Sequence, residues 1–196
     1  MGDPKFPRKR YDTPPHPWKA ERITEEKGVT KTYGLKNRRE IWKMKSLIRN
    51  FRKQARQLSA KLRTGDTQAE KEREALIKRL EVMGLLNPGA NLNDVLSINL
   101  ENIMNRRLQT LVYHMGIATT SHQARQFITH GHISIGERKV TIPGYIVKKN
   151  EEGTIKFFNN SPLVSETHPL KMQKRQKEKD PIPLEIPAPK APIKEA

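Results

Sequence analysis

The sequence contains no cysteine, which excludes disulfides and any zinc or iron–sulfur site built on thiolates. No uninterrupted apolar run approaches the roughly 20 residues of a membrane span, and the first residues lack the apolar block of a signal peptide. A soluble, intracellular chain is the expectation. Glycine patterns of the Walker or dinucleotide-binding kind are missing too. Apolar residues make up only 34% and mean hydropathy is −0.81, thin material for a self-sufficient core, so a partner is expected to stabilise part of the fold. Acidic residues are also scarce. Against 38 Lys and Arg there are 21 Asp and Glu, a net charge of +17 in 196 residues, which implies a polyanionic partner.

What the chain does have is concentrated in residues 105–149. Leu108, Leu111, Val112 and Met115 recur at helical spacing, and Gly116 closes that helix. Glu101 and Asn102 fall in the first turn of a helix entered through Asn99, where an acid favours the dipole. Thr120 reads as the next N-cap, with Gln123 forming a capping box, and Ala124, Phe127 and Ile128 supply the buried stripe before Gly131. The period then changes to two. Ile133 and Ile135 alternate with polar residues, Gly136 to Lys139 turns the chain, Val140 and Ile142 resume the alternation, and Tyr145 and Val147 make a further extended piece. Arg106, Arg107, Ser121, His122, Arg125, Gln126, His130, His132, Arg138, Lys139 and Lys148 are left for the outside. The Thr120–Ser121 helix start with Arg125 one turn later offers free N–H groups and a guanidinium fork to a phosphate.

This segment resembles the S-four RNA-binding domain. The resemblance rests on Arg106-Arg107-Leu108, Gly116-Ile117-Ala118, Thr120, Ala124-Arg125-Gln126, His130-Gly131-His132-Ile133, Pro143, Tyr145 and Val147. Ser121 stands where many members have Arg, and Gly136-Glu137 where many have Asn-Gly.

Upstream, a short polar helix is expected from Trp18 to Tyr33, ended by Gly34. Asn37 with Glu40 reads as a capping box opening the longest helix, whose stripe is Ile41, Met44, Ile48, Phe51, Ala55, Leu58 and Leu62. Its other faces carry Arg38, Arg39, Lys43, Lys45, Arg49, Arg52, Lys53, Arg56, Lys61 and Arg63, with Glu40 the one acid among them. An ordinary solvated face alternates sign; this one repels itself unless phosphates neutralise it. The next helix, capped by Thr67 with Glu70, mixes its charges and presents Leu76, Ile77, Leu80 and Met83 for packing. Asn87-Pro88-Gly89 is a turn, and Leu92, Val95, Leu96 and Ile98 form a short apolar segment.

The ends are different in kind. Five prolines among Lys5, Arg8, Lys9 and Arg10 make residues 1–17 an extended basic arm, either solvated or laid along phosphates; the charge favours the second. The region before Asn37 lacks the apolar density to order itself. Thr154 to Phe158 suits a strand, and residues 168–196 form a basic, proline-rich tail.

Arg10 to Pro14, Tyr33 to Trp42 (with Lys36), Gln54-Ala55-Arg56, Arg106 to Val112 and Thr154 to Leu163 resemble the archaeal and eukaryotic branch of the ribosomal protein S-four family. That resemblance implies an α+β protein: a helical N-terminal domain over 18–98, a two-helix and β-strand RNA-binding module over 99–150, and a strand in 151–167 returning towards the first domain. It implies early binding to small-subunit ribosomal RNA at a multi-helix junction, near where messenger enters the subunit, beside neighbouring small-subunit proteins. Roles in subunit assembly and translational accuracy go with that position. The cysteine zinc site of some bacterial relatives cannot exist here.

No catalytic residue, cofactor, metal site or homo-oligomer is expected. His114, His122, His130 and His132 lack the close pairing of a zinc site, and Asp12, Glu25, Glu26 and Asp66 have no partner suggesting a buried acid–base pair. Tyr145 lies where a base could stack. Three readings compete: a structural ribosomal-RNA binder, an RNA-modifying enzyme such as a pseudouridine synthase, and an RNA-binding regulator or ribosome-associated rescue factor. An enzyme needs a further catalytic domain, and the remaining chain is a basic helical one. The first reading is preferred.

Overall fold

A computed structural model describes Lys9 and residues 11–164; the expectations for Arg8, Arg10 and the proline-rich tail fall outside these residues. The chain forms α1 (Ala20–Thr32), α2 (Arg38–Arg63), α3 (Thr67–Val82), α4 (Leu92–Ser97), α5 (Leu100–Asn105), α6 (Leu108–His114) and α7 (Ser121–Thr129), with strands β1 (Ile133–Ile135), β2 (Arg138–Lys139) and β3 (Ile155–Phe157). The α+β class expected from the sequence is observed.

Helix α2 organises the N-terminal half. Ile48, Phe51, Ala55 and Leu58 fall three or four residues apart, so they share one face and bury against Ala69, Leu76 and Leu80 of α3 and Val95 of α4. Ile41, nearer its start, joins Leu35 and Met104 in a smaller cluster that reaches into α5. The caps differ from the sequence reading. The Asn37 side chain accepts from the Arg39 N–H, but Glu40 does not reach back to close a box; its carboxylate is engaged elsewhere. In α3 the cap is Asp66, accepting from the Gln68 N–H, one residue before Thr67.

The expected single helix from Asn99 to Met115 is broken. Arg107 takes an extended conformation (φ −71°, ψ 141°) between α5 and α6 and makes an isolated bridge with Ile146. Leu108 N–H donates to the Tyr145 carbonyl, and Val147 N–H donates to the Arg106 carbonyl. The Tyr145–Val147 segment is therefore extended, as expected, but it pairs with the helix break and not with a sheet. The break goes with burial of both flanking side chains: Leu108 lies in the module's core and Arg107 against Glu40.

The sheet order is β2-β1-β3, antiparallel throughout. Ile135 pairs with Arg138, so the hairpin loop is Gly136-Glu137 alone, two residues shorter than the expected turn. Gly136 has φ +61° and Glu137 a negative φ, the II′ pattern whose twist suits adjoining strands. Central β1 is buried on both faces, Ser134 included, while β2 is exposed. Strand β3 lies against β1 instead of returning to the first domain; the return is made by the 3-10 segment Lys149–Thr154, which contacts α3. Leu108, Val112, Ala124, Ile128, Ile133, Val147 and Ile155 form the module's core.

Residues 11–36 are also more ordered than their composition suggested. Asp12 N–H donates to Ser46 Oγ at 3.1 Å, Tyr11 lies 6.0 Å from the Trp42 ring, and Glu26 is 1% exposed.

Candidate nucleic-acid interface

The two halves meet at Glu40. It sits in the first turn of α2, and its carboxylate takes Arg107 Nη2 at 2.5 Å on one oxygen and Arg125 Nη2 at 2.9 Å on the other, with Arg125 Nη1 at 3.2 Å. Arg107 is 1% exposed, so its charge depends on this partner. Burial alone would raise the Glu40 carboxyl; hydrogen bonding to Arg125, the Arg107 and Arg125 charges and the Arg107 hydrogen bond outweigh it and hold the group below the usual carboxylate range. Burial pulls the Arg107 guanidinium down, offset in part by Glu40.

Gln109 completes the joint. Its buried Nε2 lies 3.1 Å from the Tyr33 carbonyl, 2.9 Å from that of Gly34 and 3.0 Å from that of Ser121, and its Oε1 accepts from Arg125 at 3.2 Å. Gly34 has φ +60° and a Cβ there would come within 2.5 Å of Ser121 Oγ, so only glycine lets the turn after α1 approach α7 this closely. Arg106 makes a second tie, donating to Glu152 at 2.8 Å and to the Val147 carbonyl at 3.1 Å, with its guanidinium against Gly84.

Above the Glu40 clasp lies an open cleft of about 940 Å³. Its floor holds Glu40, Arg107 and Arg125; Lys43, Met44, Leu47 and Asn50 of α2 form one wall, Ile142 to Gly144 the other, and Lys9, Tyr11 and Asp12 the rim. Lys9, Lys43, Arg107 and Arg125 outnumber Asp12 and Glu40 among its lining residues, so the cleft carries a net positive charge. The cleft is built to attract an anion.

The expected contact residues separate into three groups. Lys9, Lys36, Arg39, Lys43, Arg49, Lys53 and Arg56 are exposed, as are Thr120, His122, Gln126, His130, Arg138, Lys139 and Lys148. Arg49 is paired with Asp12 at 2.6 Å, a pair open to solvent and of small weight. Arg38, Lys45, Ser121, His132 and Tyr145 are half-buried: Lys45 lies 3.6 Å from Glu26, His132 Nδ1 is 2.9 Å from Ser161 Oγ, and the Tyr145 hydroxyl donates to Glu151. Burial first, then Glu151, holds the Tyr145 phenol above its ordinary range. Arg52, Arg106, Arg107 and Arg125 form the third group and correct the sequence reading. Arg52 donates to the carbonyl of Ile98 at 2.6 Å, Arg106 is tied to Glu152, and Arg107 and Arg125 join the two halves, so none stands free on the outside. The Thr120 cap is as expected, accepting from Gln123 N–H at 3.1 Å, although Gln123 reaches back to Thr119 and not to Thr120.

Sequence reasoning missed Glu40 and Gln109 as joint residues. The signal for Glu40 was present, a lone acid on a helix otherwise cationic.

Arg125 is accordingly a joint residue first. Arg125→Ala is expected to destabilise the fold by about 1.5–3 kcal/mol, the loss of charge-assisted bonds at a half-buried site, and a denaturant midpoint measurement checks it. A variant that melts normally but loses RNA affinity would return Arg125 to the phosphate role.

Among the described residues no group of three His, Asp or Glu is placed to hold a metal ion, and no helix is long and apolar enough to cross a membrane. An interface of exposed cations around a positively floored cleft, carried on an α+β scaffold, defines a polyanion-binding protein. Residues 106–152 match the S4 domain. The chain is 52% identical over 171 residues to the small ribosomal subunit protein uS4 of Thermoplasma acidophilum, covering 87% of this chain and 86% of that one. It is 51% identical to the protein of the same name from Picrophilus torridus, covering 88% and 94%, and 49% identical to that of Methanothermobacter thermautotrophicus, covering 83% and 94%. The chain belongs to the uS4 family of ribosomal proteins, a structural and non-enzymatic family.

Proposed function

We propose that this protein is a structural constituent of the small ribosomal subunit that binds small-subunit ribosomal RNA directly and nucleates subunit assembly. The observation that carries the reading is the uncompensated face of α2: Arg39, Lys43, Lys53 and Arg56 are exposed, with no described acid paired to them. Such a face is self-repelling in water and is relieved by phosphates. The cleft floored by Arg107 and Arg125 continues that surface onto the module. Contacts with neighbouring small-subunit proteins, a cytoplasmic ribosomal location, and a contribution to messenger passage and translational accuracy follow from the same assignment.

A regulator or rescue factor would use similar chemistry but cycle on and off the ribosome. Sedimentation of small subunits through a high-salt wash separates the two. The expected result is that the protein stays with the subunit at one copy each; quantitative release into the wash would favour the cycling factor.

A further inference from the structure

The carboxylate of Glu26 lies in α1 with no part in the joint, yet it is 1% exposed and has three partners. Arg22 Nη1 contacts both of its oxygens at 3.1 and 3.2 Å, Trp42 Nε1–H donates at 3.1 Å, and Lys45 Nζ stands at 3.6 Å. Two of those partners reach further. Arg22 Nη2 donates to the carbonyls of His16, at 3.2 Å, and Pro17, at 2.8 Å. The Trp42 ring lies 6.0 Å from Tyr11. Three prolines, Pro14, Pro15 and Pro17, remove backbone donors from this stretch and bar it from a helix or sheet that could fix it. Side chains must hold it instead: Ser46 and Arg49 take Asp12 at one end, while the holds on Tyr11, His16 and Pro17 come from Trp42 and Arg22, which both converge on Glu26.

We propose that Glu26 is the positioning residue for the N-terminal arm: it orients Arg22 and Trp42 so that residues 11–17 lie as a strap across α2. The strap sets Tyr11 and Lys9 on the rim of the interdomain cleft, Lys9 being 5.0 Å from the Tyr11 ring centroid. A cation and an aromatic face on the rim suit a phosphate and its base. The mooring itself is independent of RNA; the consequence for affinity rests on the RNA-binding function proposed above.

Because the chain has no cysteine, His16→Cys, at the exposed residue whose carbonyl Arg22 holds, gives a unique site for a nitroxide label on the full-length protein. The label is expected to be immobilised in the free protein and to become mobile when Glu26→Gln is added, with helix content by circular dichroism unchanged. Arg22→Gln, which removes the carbonyl contacts and leaves Glu26 with Trp42 and Lys45, is expected to do the same and serves if Glu26→Gln does not fold. In titrations against small-subunit ribosomal RNA, either variant is expected to lower the magnitude of the log–log salt slope by about 0.7–0.9 for the one phosphate contact of Lys9. A label equally immobile in both variants overturns the mooring. A mobilised label with an unchanged slope overturns the positioning of Lys9. If the unsubstituted protein binds no such RNA, the proposed function fails, and the label spectra still decide the mooring.

Discussion

Glu40→Ala is expected to destabilise the folded protein by about 3–5 kcal/mol, the range for removing one partner of a buried ion pair. The substitution deletes no core volume. Its effect comes from Arg107, which stays 1% exposed with its charge intact and no counter-ion, while Arg125 loses the same partner. Glu40→Gln should fall between, since an amide oxygen can accept from one guanidinium without neutralising either. Chemical denaturation with the m-value held constant measures the difference, and a loss below about 1 kcal/mol would mean that water or rearrangement compensates Arg107. The pH dependence follows from the same carboxylate. Its pKa is lowered on folding, so its stabilisation is complete above the unfolded glutamate value of about 4.3 and is lost as pH falls through the lower folded value. Glu40→Gln should therefore lack part of the acid-induced loss that the parent protein shows below that pH.

Affinity for small-subunit ribosomal RNA should fall steeply with salt. If about ten phosphates are neutralised, the log–log slope lies near −7 to −9, or roughly 10⁴- to 10⁵-fold between 50 and 200 mM monovalent salt. Five cations on α2 (Arg39, Lys43, Arg49, Lys53 and Arg56) are exposed along one element, and Arg138, Lys139 and Lys148 extend the surface over the module. Titrations at four or five salt concentrations give the slope directly. A slope near zero would remove the electrostatic basis for the interface. Replacing Lys53 and Arg56 together with Gln should lower the slope by about 1.5–2 if both meet phosphate and leave it unchanged if neither does.

Much of this fold is legible in the chain because its helices obey simple period and cap rules. Ile41, Ile48, Phe51, Ala55 and Leu58 of the α2 stripe and the Ala124, Phe127 and Ile128 stripe of α7 are buried as their spacing requires, while Met44 is partly open to the cleft. Positive φ at Gly34, Gly116 and Gly131 marks helix ends that glycine had announced. What the sequence conceals is long-range pairing. Nothing local distinguishes Glu40 reaching Arg107, 67 residues on, from Glu40 reaching back to its own cap, and the second is the commoner habit of a glutamate at that position. The break at Arg107 was hidden for the same reason: propensity favours a continuous helix from Leu100 to His114, and tertiary burial overrides it. Site residues were legible by type but not by role. An arginine in a cationic chain reads as a phosphate contact, and only its neighbours in space tell whether it faces solvent, as Arg56 does, or holds the protein together, as Arg107 does.

The separation of Glu40 from Arg125 by 85 residues also has a meaning in time. Synthesis at roughly 5–20 residues per second leaves an interval of about 4–17 s between the translation of the two. During that interval α2, α3 and α4 can already close their shared core, because every residue of it up to Ile98 has been made. The glutamate must wait on the surface of a half-finished molecule, first for Arg107, 67 residues on, and then for Arg125. Closure of the clasp is thus a late event of biogenesis, and the newborn helical half meets the cell first with its cationic face open and its acidic latch still unfastened.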